Sequence, residues 1–321
     1  MPSASSFPQQ VMPDEEHRAP IRCNLQTVED IVGPATIDQL VADAADRGHQ
    51  ITARVIRDWT QAGLLDYPQK RSAGRGHGSR HALYSENQRH LLLTLLHHRP
   101  TNGISGLARI PVGIWVYWGE EYVELPQVRR AMRTWLGDAR VSLRQSRATA
   151  REILGQIDNP AAGPAARKEL LDTISDGAYT ARVDLERLER AVQAVFEPGS
   201  GQIRRAVGHP AAPMTTRSMV DMVRARCAAA QRLIADEITD QEFLAARHTH
   251  LVGYAEYAMQ RGTYTAMAPA DHPDMYEPVT AEIALNSCCG HLLTTLGLNH
   301  LYPEAAARVL ARPAPQMNFG S

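Results

Sequence analysis

Apolar residues in this chain recur at helical spacing and show no alternating strand pattern of note. Residues 1–33 have no apolar period. They are rich in Pro, Ser, Gln and charge, and are expected to form a disordered arm. Pro34 opens the first ordered block. Ile37, Leu40 and Val41 fall at i, i+3 and i+4, which predicts a short amphipathic helix running to about Arg47 and stopping at Gly48. Thr52 is a good cap for a second helix, with Val55, Ile56 and Trp59 as its buried stripe and Gly63 as its stop. Leu64 and Leu65 are expected to pack back, and Pro68 to force an extended exit. Ser85 caps a third helix carrying Leu91, Leu92, Leu95 and Leu96 and ended by Pro100. A short helix over residues 105–110 follows.

From Pro126 the pattern stays helical to the end. Leu171, Ile174, Ala178, Ala181, Leu185, Leu188, Val192 and Val195 are spaced 3-4-3-4-3-4-3, a heptad seam. Such a stripe must pack on something, either a second copy or a bundle within one subunit. A homodimer is the favoured expectation, with Leu171, Ile174, Leu185, Leu188 and Val192 at its contact, because two-fold symmetry doubles a small binding site. Pro198, Gly199, Gly201, Pro210 and Pro213 mark a linker, and residues 215–261 and 279–310 form a last helical region split at 268–278.

Charge changes the picture at one place. The chain of 321 residues carries a formal net charge of -1, so it is not a polyelectrolyte binder as a whole. Residues 51–99 nevertheless hold eight basic residues against three acidic ones, a local balance of +5, with no acidic residue over 67–85. Lys70, Arg71, Arg75, His77 and Arg80 sit there on a glycine-punctuated finger between two helices. A helix, a turn, a second helix and a basic hairpin read as a winged helix-turn-helix. A helix fits the major groove, and its N-terminal side chains meet base edges. Thr52 and Arg54 are expected at the groove, Arg57 at a phosphate, and the finger on the backbone or in a minor groove. Trp59 is expected in the core rather than stacked on a base.

The stretch ITARVIRDWTQAGLL resembles the signature helix of the MerR family of bacterial transcription regulators. That helix typically reads Val-Ser-x-Arg-Thr-Ile-Arg-Tyr-Tyr, then a spacer and Gly-Leu-Leu. Ile51, Thr52, Arg54, Ile56, Arg57, Gly63, Leu64 and Leu65 stand in the matching places. After the finger, YSENQRHLLLTLLHHRPTNGISGL is similar to the family's third helix and following turn, so the resemblance covers residues 34–115. Asp58 and Trp59 replace the family's paired aromatics. Ala82 stands where its wing arginine would be, and the finger is closer to BldC-type and excisionase-type relatives. The resemblance implies a DNA-binding transcription regulator that partners double-stranded DNA, RNA polymerase and a small-molecule effector.

Other chemistry is sparse. SCCGH brings Cys288, Cys289 and His291 together, and RHTH gives His248 and His250. These are metal-ligand types, and some relatives in the family sense metals near the chain end. On a helix, however, adjacent residues point about 100° apart, so buried thiols are the expectation, with no metal and no cofactor. Phosphate-loop, nucleophile-elbow, zinc-protease and dinucleotide-binding patterns are absent from the sequence, so no enzyme and no catalytic residue is expected. There is neither a leader pattern nor a long apolar run, which suggests a cytoplasmic protein that makes no membrane contact.

The expected fold is therefore mainly α. It comprises an arm (1–33), a winged helix-turn-helix (34–125), a helical linker and dimerisation region (126–198) and an all-α domain (199–321) suited to effector binding. Two other functions fit the same residues. One is an architectural, excisionase-like or plasmid-maintenance protein that bends DNA. The other is an α-helical enzyme or receptor whose winged domain serves protein contacts.

Overall fold

Thr36 opens the first described helix by accepting the Gln39 N–H while Gln39 reaches back to the Thr36 N–H, a reciprocal cap. The computed structural model describes residues 32–72, 79–137, 143–180, 182–198, 208–209, 212–213, 215–266 and 278–315. The chain is mainly helical. It divides into two compact units, one of residues 32–137 with Thr280–Cys289, the other of residues 143–279 with 290–315. Among the described residues, no helix is long and apolar enough to cross a membrane.

In the first unit, α1 (Ile37–Asp46) ends before Gly48, whose φ of 78° is the left-handed turn that releases the chain. α2 (Ala53–Gln61) starts at the Thr52 cap and buries Ile56, Trp59 and Thr60; Val55 is only half-buried. Gly63 follows at φ 77°, and Leu64 and Leu65 turn into the core. β1 (Gln69–Ser72) and β2 (Ser79–Leu83) pair antiparallel, with a bulge between Gln69 and Arg71. Tyr84 then exchanges both backbone hydrogen bonds with Ala35, at 2.8 and 2.9 Å. This bridge ties the hairpin to the start of α1. α3 (Glu86–His98) is capped by Ser85. Arg89 on α3 holds the Asp43 carboxylate with two nitrogens and also donates to the Val32 and Gly33 carbonyls. Val32 and Gly33, at the end of the segment expected to be a disordered arm, are therefore anchored. Residues 1–31 lie outside the described residues.

The short helix expected near 105–110 is two elements, α4 (Ile104–Leu107) and α5 (Arg109–Trp118). α5 is buried on every side apart from its last residue. Its Gly113 lies so close to Leu285 that a Cβ would stand 2.1 Å from a Leu285 methyl. Arg109 is buried and donates to Asn102 Oδ1 and to the Gly106 and Asn286 carbonyls. α6 (Leu125–Leu136) also packs in this unit, which moves the boundary expected after residue 125 to 137.

The second unit holds α7 (Leu143–Ile157), α8 (Pro164–Thr180) and α9 (Leu185–Phe196). A two-residue ladder of β3 (Gly208–His209) and β4 (Ala212–Pro213) follows, then α10 (Thr216–Ile234) and α11 (Asp240–Ala266). α12 (Ala281–Leu301) runs on from the first unit's share of the helix, and α13 (Pro303–Leu310) closes the chain.

Here the structure corrects the heptad seam. The stripe is not one helix: α8 ends at Thr180, and α9 begins again after Asp184, which accepts the Arg187 N–H at 2.9 Å. The chain folds back, and Arg187 on α9 bonds Glu169 and Asp176 on α8. Leu188 and Val192 are buried with Leu170, Val195, Phe196, Met219 and Val220, and Ile174 and Leu185 pack against them. Leu171 on α8 is half-buried. Ile174, Leu185, Leu188 and Val192 thus pack within the subunit's own bundle, and the stripe is broken between α8 and α9 rather than forming one continuous helix.

α10 and α12 cross with backbones in contact. A Cβ on Gly297 would fall 2.0 Å from the Ala225 carbonyl oxygen, and Arg226 donates to Thr294 Oγ1 at 2.6 Å beside this crossing.

Candidate nucleic-acid interface

The interface begins with what α2 leaves uncovered. Ile56, Trp59 and Thr60 face the core, so Thr52, Arg54, Arg57, Asp58 and Gln61 are left exposed. Trp59 is a core residue, with the Arg99 guanidinium 5.9 Å from its ring centre. Thr60 donates to the Ile56 carbonyl and lies 3.2 Å from the Tyr84 hydroxyl, which locks the helix to the end of the hairpin. Burial pushes the Tyr84 phenol up. The Thr60 hydrogen bond and the Arg57 charge act against that shift.

Thr52 Oγ1 caps Val55 N–H at 3.4 Å, so its oxygen is already engaged as an acceptor, and its hydroxyl proton remains for another partner. Arg54 is 88% exposed, and its ion pair with Asp58 is a long one, 3.9 Å. An exposed pair of this length constrains the guanidinium little.

Lys70 is exposed on β1. Arg71 and Arg80 are direct cross-strand partners in the hairpin register. The side chains of Arg71 and Arg80, and the whole of Arg75 and His77, lie outside the described residues. Of the predicted contact residues, the structure thus places Thr52, Arg54, Arg57 and Lys70 on solvent-facing positions of α2 and β1.

Four residues near this surface escaped the sequence reading. Tyr67 is 56% exposed at the root of the hairpin, under the Arg130 guanidinium at 4.4 Å. Gln127, Arg130 and Thr134 on α6 reach the turn after α2. Their spacing of three and four residues puts them on one helix face, but a stripe of Gln, Arg and Thr reads as a solvent face unless its partner is known. Asp58 was noted in the sequence only as a departure from the family pattern. It is the single carboxylate on the exposed stripe of α2.

Of the cysteine and histidine motifs, Cys288, Cys289 and His250 are buried, and His248 and His291 are partly exposed. Cys288 and Cys289 are fully buried, and the Cys288 thiol lies 3.1 Å from the Leu285 carbonyl. In the other unit, the His250 and His291 rings are 5.5 Å apart, and His250 stacks on Tyr254. Burial lowers the His250 pKa to about 3, helped by His291, and lowers that of His291 to about 4, helped by Arg226. Among the described residues, no group of three or more His, Cys, Asp or Glu side chains is placed to hold a metal ion.

Comparisons of the chain with protein-family models, with curated proteins and with solved structures find no match.

Proposed function

We propose that the first unit is a winged helix-turn-helix that binds double-stranded DNA, and that the protein is a sequence-specific transcription regulator. The observation that carries this reading is the division of α2. Its buried stripe is locked into the core by Ile56, Trp59 and Thr60, while Thr52, Arg54 and Arg57 are exposed on its first turns and a basic hairpin follows in the chain. A helix presented in this way matches a major groove, and a hairpin with Lys70 and opposed Arg71 and Arg80 matches phosphates. Regulation of transcription is the role that the MerR resemblance implies for such an interface. A cytoplasmic location, a contact with RNA polymerase and an effector site in residues 199–321 belong to the same proposal. Two copies on a palindromic site remain part of it, with a contact other than the 171–195 stripe.

The experiment is selection of duplexes from a random pool by the full-length chain, followed by affinity measurements on the selected and on random sequence. Arg54→Ala should cost about 1–3 kcal/mol on the selected duplex and less on random DNA. Equal losses on both would make Arg54 a phosphate contact. Asp58→Asn should strengthen binding to random DNA, because it removes the one carboxylate on that stripe. An unchanged affinity for random DNA would place Asp58 away from the phosphates.

A further inference from the structure

The last turn of any helix leaves carbonyls without helical partners, and water or a cap normally takes them. After α2 the amides are used locally: Gly63 donates to Thr60, and Leu64 and Leu65 both donate to the Trp59 carbonyl. The carbonyls are taken by another helix. Thr134 Oγ1 donates to Ala62 O at 2.7 Å, Gln127 Nε2 to Leu64 O at 3.1 Å, and Arg130 to Leu65 O at 3.5 Å. Arg130 also pairs with Asp66 at 2.8 Å and lies over the Tyr67 ring. The Asp66 N–H goes to Gln88 Oε1, and Gln88 is itself bonded to Gln127 in a buried pair. Backbone meets backbone here as well, since a Cβ on Gly63 would fall 2.3 Å from the Ala131 nitrogen.

We propose that α6 is the positioning element of this interface: Gln127, Arg130 and Thr134 fix the pitch of α2 and the root of β1 relative to each other, and so set sequence selectivity without touching DNA. The inference rests on the DNA-binding reading. Its physical basis is leverage and direction. Residues 62–67 join the exposed stripe of α2 to the strand that carries Lys70, and hydrogen bonds in this strip are directional while adding modestly to net stability. A small rotation of the strip would move the exposed stripe of α2 against the hairpin. Base-edge contacts depend steeply on such placement, whereas contacts to a uniform phosphate backbone do not.

The test uses the full-length chain, the duplex it selects and a random duplex. Arg130→Ala should weaken the selected duplex about tenfold and random DNA by less than about threefold, narrowing selectivity. Arg130→Lys keeps the charge opposite Asp66 but lacks the planar fork that also reaches Leu65 O, so it should restore only part of that loss. Thr134→Val removes one donor at nearly constant volume and should narrow selectivity in the same direction with only a small drop in melting temperature. It carries the comparison if Arg130→Ala does not fold. Selected and random duplexes losing affinity by one common factor, or neither losing any, would overturn the positioning role. A wild-type chain that selects no sequence would instead overturn the DNA-binding reading beneath it, a result distinct from either.

Discussion

Leu188→Asp is expected to unfold the C-terminal helices rather than to yield a folded monomer. Leu188 is 6% exposed and packs with Leu170, Val192, Val195 and Phe196 from its own subunit. A carboxylate there has no partner in the cluster, and burying one unpaired costs on the order of 4 kcal/mol or more. That is a large share of the roughly 5–15 kcal/mol that holds a typical domain together. Leu185→Asp should be milder, because Leu185 is half-buried at the edge of the same cluster. Far-UV circular dichroism with sedimentation velocity reads the outcome. Loss of helix with a low melting temperature is the expected result. A Leu188→Asp chain that is fully helical and changes only its oligomeric state would return the stripe to a dimer contact.

Acid should destabilise the second unit well before its surface carboxylates are all protonated. His250 is buried, and the neighbouring His291 has its Nδ1 enclosed without a hydrogen-bond partner although the residue as a whole is partly exposed. Their pKa values of about 3 and about 4 lie below the ordinary 6.5 that the unfolded chain would show. The unfolded chain therefore binds more protons below pH 6.5. The stability conferred by keeping the pair neutral is fully present above that pH, falls as the pH drops, and is lost by the folded values. The slope is up to about 1.4 kcal/mol per pH unit for a fully buried histidine, or on the order of 3 kcal/mol from His250 by about pH 4, with less from His291. Melting temperatures across this range should fall steeply for the wild type and more gently for the chain with His250→Gln and His291→Gln together. Equal slopes would place the acid sensitivity in other groups.

Much of the first unit was legible because its signals are local. Thr52 and Ser85 cap where their side chains can reach an N–H three residues on, and Gly48 and Gly63 stop helices by adopting positive φ. Three things were not legible. The 171–195 stripe kept its period through a chain reversal, since apolar spacing reports which residues are buried and not whether the helix is continuous. The signal that would have broken it was Asp184, a capping residue followed by Glu186 in the first turn of α9. The α6 comb escaped because Gln127, Arg130 and Thr134 look like a wet face until the carbonyls of Ala62, Leu64 and Leu65 are placed against them. The His250–His291 contact joins residues 41 positions apart on two helices, and no spacing within either motif encodes it.

The salt dependence of duplex binding tests the central claim most directly. A protein that neutralises phosphates releases counterions, and the slope of log affinity against log salt is about -0.9 per phosphate. With about four contacts from one hairpin and the start of α2, the full-length chain should bind duplex DNA with a slope near -4, or near -7 if two copies occupy the site. Replacing Lys70, Arg71, Arg75 and Arg80 together with Ala should flatten that slope and weaken every sequence alike. A chain that does not bind duplex at low salt, or a fourfold variant whose slope is unchanged, would contradict the account.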